Sequence, residues 1–234
     1  MAQIDILAPF ILSFEGGYVN DKDDNGGATN KGVTIETWKV NGRDIDGDGD
    51  IDEDDLKLIS EEDAIAIMKK NFWDKIHADE INSQSVANLM FDWVWGSGIK
   101  KSVKIIQEVV GTTADGVIGP KTIAAINNQD SASLFKTLHD RRRLNLNRIV
   151  ESHPSQEKFL KGWLRRLDSI QFESLKCNGG KVIDFTDTFT LPVEIPETPD
   201  TPDTPKPDEG KHGGCLSRAA VLLAIVTALC WALA

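Results

Sequence analysis

Cysteine is scarce in this chain of 234 residues: Cys177, Cys215 and Cys230 are the only three, all late and with no CxxC pair. That argues against a disulfide framework and against a cysteine-based zinc site. His77, His139 and His153 show no metal-ligand spacing either. No basic run with interleaved aromatics occurs, so no nucleic-acid partner is expected. The N-terminus, MAQIDILAPFILSFEGG, lacks a basic start and carries Asp5 inside its apolar stretch, so it does not read as a signal peptide. Strand signals are thin, and at most a short hairpin fits near residues 17–34. A mainly α fold is expected, acting as a monomer.

Acidic charge is plentiful but concentrated. The net charge is -11, and residues 43–55 contribute -7 while residues 184–214 contribute -6. The rest is therefore slightly basic at +2, and such a body can approach an anionic polymer. Residues 1–42 open with an amphipathic helix in which Ile4, Leu7, Phe10, Ile11 and Phe14 share a face. Thr34 is placed to cap a short helix through Trp38. Ser60 with Asp63 resembles a capping box. Helices are expected at 86–95, from Val103 to Val110, at 121–126, 131–150 and 156–175, with Gly96, Gly98 and Gly111 as stops and Pro120 at a helix start.

The segment ETPDTPDTPKPDEGK lies within residues 184–214 and is too rich in Pro, Thr and Asp to build a core, so it reads as a solvated linker. From Ala219 to Ala234 no residue is charged. Counted from Leu216, that run approaches the roughly 20 residues of a spanning helix. It predicts a C-terminal transmembrane helix at 215–234, holding the protein at the inner membrane of a bacterium on a side the sequence leaves open.

The densest chemical signal is FEGGYVNDKDDNGGATNKGVT, residues 14–34. Glu15 follows the apolar face of the first helix, where desolvation would raise a carboxyl pKa and suit a general acid. Gly16 and Gly17 leave room for a sugar chain. Asp21, Asp23 and Asp24 offer a second carboxylate, and glycoside hydrolysis ordinarily uses two. Gly26, Gly27 and Gly32 favour a hairpin folding Asp24 and Thr29 back towards Glu15. Spacing alone leaves a solvated Gly/Asp loop equally open. Trp93 and Trp95 sit two apart on one helix, so one of them is a candidate to line a glycan cleft, with core packing of both as the alternative; Tyr18 is a further candidate. Arg141–Arg143 and Arg165–Arg166 read as solvated helix faces or contacts to anionic wall groups.

A second motif follows. Asp44, Asp46 and Asp48 take the first, third and fifth places of a twelve-residue calcium loop, and Gly49 takes the sixth, where the chain must turn sharply. Asp50 offers its carbonyl at the seventh place, Asp52 stands at the ninth and Asp55 at the twelfth. The twelfth residue is ordinarily Glu, so the shorter Asp55 departs from the pattern. A structural Ca²⁺ is expected, with no cofactor for catalysis.

EGGYVNDKDDNGGATNKGVT resembles the signature of glycoside hydrolase family 108, a lysozyme-like family of N-acetylmuramidases and phage endolysin-like proteins. FDWVWGSG (91–98) and IIQEVVGTTADGVIGPKTIAAIN (105–127) resemble that family's C-terminal predicted peptidoglycan-binding region, and FLKGWLRRL (159–167) resembles its closing helix. The likeness runs over roughly residues 3–175. It implies a lysozyme-like single domain with Glu15 as the catalytic acid and peptidoglycan glycan strands as substrate. The order Glu15, Asp24, Thr29 also resembles phage-type lysozymes, in which the Asp and Thr position water or stabilise charge; Asp21 competes with Asp24 for that role. The expected organisation is a catalytic region at 1–104 with its calcium loop at 44–55, a helical peptidoglycan-binding region at 105–183, the linker at 184–214 and the anchor at 215–234. A non-catalytic wall-binding or secretion accessory module is the alternative.

Overall fold

The computed structural model describes residues 1–20 and 27–187. Helix α1 (Ile4–Phe14) is followed by strands β1 (Thr29–Asn30) and β2 (Val33–Thr34), then α2 (Ile35–Asn41), α3 (Glu53–Leu58) and α4 (Glu61–Met68). Single turns of wider and tighter helix lead on to α5 (Gln84–Ser97), α6 (Ile99–Val110), α7 (Pro120–Asn127), α8 (Ser131–Ser152) and α9 (Glu157–Asp168). Strands β3 (Ile170–Gln171), β4 (Ser174–Lys176) and β5 (Val182–Asp184) form an antiparallel sheet in that order.

Local chemistry explains most of the boundaries. The Thr34 hydroxyl accepts from the Thr37 amide at 3.2 Å, starting α2. Ser60 and Asp63 close a reciprocal capping box on α4. Gly111 ends α6 at φ +75°, and Pro120 stands at the start of α7. All five apolar residues of the first helix face are buried. One expectation fails at the far end. The last helix stops at Asp168 rather than reaching Leu175, because Ile170 and Leu175 pair across a hairpin whose turn residue Glu173 has φ +62°.

Helix α5 is the axis of the core. Every residue from Gln84 to Trp95 is buried, as expected for a helix walled in on all sides. Its Phe91 ring meets that of Trp73 at 5.8 Å, and Trp38 and Phe10 belong to the same buried cluster. Its polar residues Gln84, Asn88 and Asp92 recur every four positions, making one buried polar stripe. At its N-terminus, Ser83 caps the Val86 amide, and Asp187 accepts from the Ser83 hydroxyl at 2.7 Å and the Ser85 amide at 3.1 Å.

The expected membrane anchor needs correction. Among the described residues no helix is long and apolar enough to cross a membrane. Apolar α5 has 14 residues, about 21 Å at 1.5 Å per residue, against a hydrocarbon core of about 30 Å. The 22-residue α8 carries Lys136, Asp140 and three consecutive arginines. Residues 215–234 lie outside the described residues, as does most of the expected linker. The supported architecture of the described residues is a mainly helical fold with two small sheets.

Candidate active site

Glu15 terminates α1. Its amide still bonds to the carbonyls of Ile11 and Leu12, both at 3.2 Å, while its own backbone turns extended at ψ 140°. The carboxyl therefore leaves the helix end and passes beneath the β1–β2 hairpin. Beside Gly16 and Gly17, a Cβ would meet none of the described residues within 4 Å.

Two donors converge on one carboxyl oxygen. Trp95 Nε1 donates to Glu15 Oε1 at 3.0 Å, and Arg166 Nη1 donates to the same atom at 3.2 Å. Only 6% of the Glu15 side chain is exposed, and 4% of Arg166. Arg166 Nε donates to Asp92 Oδ1 at 2.6 Å, and the guanidinium lies 5.3 Å from the Phe14 ring centre and 5.8 Å from that of Phe10. Burial works against the charge on Arg166, but the Asp92 and Glu15 carboxylates outweigh it and hold its pKa above the ordinary arginine value. Arg142 lies close by, buried over Trp93 and bonded to the Ser97 hydroxyl at 2.7 Å. Burial pushes its pKa down to about 10. Carboxylates and guanidiniums thus balance two against two among the described residues.

The hairpin closes over this group. Asn30 pairs with Val33 around a two-residue turn, and both turn residues, Lys31 at φ +49° and Gly32 at φ +78°, are left-handed, which is the geometry of a type I′ turn. At Gly32 a Cβ would stand 2.7 Å from Trp95 Cζ2 and 3.1 Å from Glu15 Cδ. Only glycine lets the turn come this close. The hairpin is held from outside by α3 and its flank: Asn30 Nδ2 donates to the Leu56 carbonyl at 2.8 Å, and Lys31 Nζ to that of Ile59 at 3.0 Å.

Thr29 is 6% exposed on β1, and its hydroxyl has no hydrogen-bond partner among the described residues. Asp24 and Asp21 fall outside the described residues. Tyr18 is half-buried; its hydroxyl donates to Glu53 Oε2 at 3.0 Å, and Asn20 Nδ2 reaches the same oxygen at 2.8 Å. These bonds tie the Glu15 loop to α3. Of the two readings of Trp93 and Trp95, burial favours core packing. Trp93 is 1% exposed, and Trp95 is enclosed by Phe72, Phe91, Glu15 and Gly32. Spacing of two residues separates faces only when one face meets water, and α5 has no such face.

Asp92, Arg142 and Arg166 escaped the sequence reading. An acid inside the otherwise apolar run FDWVW was the available signal, since a carboxylate flanked by core residues requires a buried partner. Arg166 looked solvated because Arg165 beside it is indeed exposed. A surface groove of about 710 Å³ lies elsewhere on α9, along Glu157, Leu160, Lys161, Leu164, Arg165 and Asp168. It is shallow, and Glu157 and Asp168 stand at opposite ends of α9, about 16 Å apart at 1.5 Å per residue, too far to flank one glycosidic bond, so the Glu15 group is the better candidate.

In the acidic loop, Asp44, Asp46 and Asp48 bring carboxylate oxygens within 4.8 Å of one another, as do Asp50, Asp52 and Asp55. Gly49 turns the chain at φ +102°. Asp55 is wholly buried and accepts from the amides of Ile45 at 2.5 Å, Asp52 at 2.9 Å and Asp46 at 3.2 Å. Those amides lower its pKa. Repulsion from Asp48 raises that of Asp50, helped by burial and by Asp52, Asp55 and Asp44.

The family model described as Glycosyl hydrolase 108 matches residues 8–98, and the model described as Predicted Peptidoglycan domain matches residues 101–168. The solved structure of Brucella abortus SagA is 31% identical, with a TM-score of 0.56 over 69% of this chain and 87% of that one. This chain belongs to the glycosyl hydrolase 108 family. It is a glycoside hydrolase that acts on peptidoglycan. None of the curated proteins matches it. The boundary between the two matched regions falls at the α5–α6 junction, so Glu15, Asp92 and Trp95 come from the hydrolase region and Arg166 from the peptidoglycan region.

Proposed function

We propose that this glycosyl hydrolase 108 member is an N-acetylmuramidase, cleaving the β-1,4 bond between N-acetylmuramic acid and N-acetylglucosamine with Glu15 as general acid. The observation that carries this reading is the buried Glu15 carboxyl, with Oε1 anchored by Trp95 and Arg166 and Oε2 taking no hydrogen bond from the described residues. Protonation of the glycosidic oxygen needs such an oriented donor, shielded from bulk water. Asp24, with Asp21 as its competitor, supplies the second carboxylate that stabilises the oxocarbenium-like state or activates water. The unpartnered Thr29 hydroxyl supports a role in holding that water. Tyr18 is the aromatic left to flank a sugar, since Trp93 and Trp95 are committed to the core. Product analysis tests the bond. Digested, borohydride-reduced peptidoglycan is expected to carry muramitol at its new ends. Glucosaminitol, or anhydro-muramyl ends, would rule out a hydrolytic muramidase.

The acidic loop serves in this reading as a structural Ca²⁺ clip. Its donors are all oxygen, as a hard cation requires. Asp44, Asp46 and Asp48, with the Asp50 carbonyl and Asp52, would hold the ion, while Asp55 ties the loop ends together. A cation also relieves the repulsion that raises the Asp50 pKa. At 100 times its Kd, calcium adds about 2.7 kcal/mol. For a domain of this size that is roughly 5–10 °C in Tm. Calorimetry with calcium and with a chelator checks this, and coincident melting curves count against the clip.

A further inference from the structure

We propose that Arg166 is the positioning residue for Glu15, so that the region matched as a peptidoglycan domain completes the catalytic centre. The inference rests on Glu15 being the general acid. Arg166 lies seven positions after Phe159 on the buried face of α9, two helical turns along the same stripe. It is locked before it meets Glu15: Asp92 fixes its Nε at 2.6 Å, and the Phe14 and Phe10 rings lie 5.3 Å and 5.8 Å from the guanidinium carbon. Its Nη1 then reaches Glu15 Oε1, the atom that also accepts from Trp95 Nε1.

The chemistry of these two partners decides where the Glu15 proton sits. Guanidinium and indole N–H groups donate hydrogen bonds and accept none. An oxygen facing both has no acceptor to receive a proton of its own. A protonated Glu15 therefore carries its hydrogen on Oε2, the oxygen turned towards the hairpin. Arg166 and Trp95 thereby select which oxygen is the acid and fix the carboxyl plane. Asp92 serves as the counter-charge that lets the guanidinium be buried without drawing the Glu15 carboxylate into a two-armed ion pair. Lysine would keep the charge but lose the planar fork that serves Asp92 and Glu15 from different nitrogens.

The test compares Arg166→Gln, Arg166→Lys and Glu15→Gln in the full chain, with kcat and KM measured on soluble glycan fragments and folding followed by circular dichroism. Arg166→Gln is expected to lower kcat by about 10²-fold, within the range a general acid contributes, with KM within about threefold of the parent. Arg166→Lys is expected to lose roughly tenfold in kcat, again with KM little changed. Millimolar guanidinium should restore part of the Arg166→Gln activity, whereas sodium chloride and urea at the same concentration should not. A folded Arg166→Gln with near-parent kcat overturns the proposal. So does a loss confined to KM, which would make Arg166 a wall contact. Should Arg166→Gln not fold, Arg166→Lys decides alone, and an unchanged kcat there overturns the proposal. If Glu15→Gln stays active, the general-acid reading itself has failed; if it is dead while Arg166→Gln keeps its kcat, only the positioning role has failed.

Discussion

Glu15→Gln is expected to leave the protein folded and to slow peptidoglycan hydrolysis by about 10²–10⁴-fold. The substitution is nearly isosteric, so the tight space under Gly32 is respected. The glutamine oxygen can still accept from Trp95 and Arg166, while its amide takes the place of Oε2. What disappears is the proton. The main cost to stability is the lost ion pair. Removing one partner of a buried pair ordinarily costs about 3–5 kcal/mol, but Arg166 keeps Asp92 at 2.6 Å, so the loss should be nearer the 1–3 kcal/mol of a weakened charged hydrogen bond. Release of reducing ends from purified peptidoglycan measures the effect. Activity within tenfold of the parent would remove Glu15 from the chemistry.

Gly32→Ala is the second substitution with a large expected effect, and it neither adds nor removes a charge. The new methyl would lie 2.7 Å from Trp95 Cζ2 and 3.1 Å from the Glu15 carboxyl carbon. Either the hairpin lifts or the Trp95 ring moves, and Glu15 loses part of its anchor in both cases. Overpacking costs about 1–3 kcal/mol, and a side chain at φ +78° costs about 1–2 kcal/mol more. A fall in kcat of at least about tenfold is expected, since small misplacements at a reacting group are costly. Gly111→Ala provides the control. Gly111 has nearly the same φ, +75°, but no atom within 4 Å of its Cβ. It should lose stability through the backbone alone and keep its kcat. Equal activity losses in the two variants would show that the close approach at Gly32 does not matter.

Much of this architecture was legible because its causes are local. Thr34, Ser60, Gly111 and Pro120 act on the residues beside them, and each marks the helix boundary its chemistry predicts. The place of Glu15 at a helix end was legible for the same reason, after an apolar face and before two glycines. What stayed hidden depends on distant partners. The pairing of Asp92 with Arg166 spans 74 positions, and no local pattern encodes it. The choice between core and cleft for Trp93 and Trp95 stayed open because periodicity assumes one wet face, and α5 has none among its buried residues. Residues 170–175 read as helical by pattern, and the cross-strand pairing of Ile170 with Leu175 outweighed it. The run at 215–234 matched an anchor by composition alone, and no helix among the described residues has that character.

The bond between Glu15 and Arg166 joins residues 151 positions apart, and Asp187 reaches back 104 positions to Ser83. Contacts of such long range form slowly, because the intervening chain must first lose its freedom. A ribosome that has made only the hydrolase region has produced Glu15, Trp95 and Asp92 but not the guanidinium that holds two of them. The growing chain would carry an unanchored acid and an unpaired buried carboxylate until α9 emerges. Competence to cut glycan would thus arrive late in synthesis, all at once, when nearly the whole body can close.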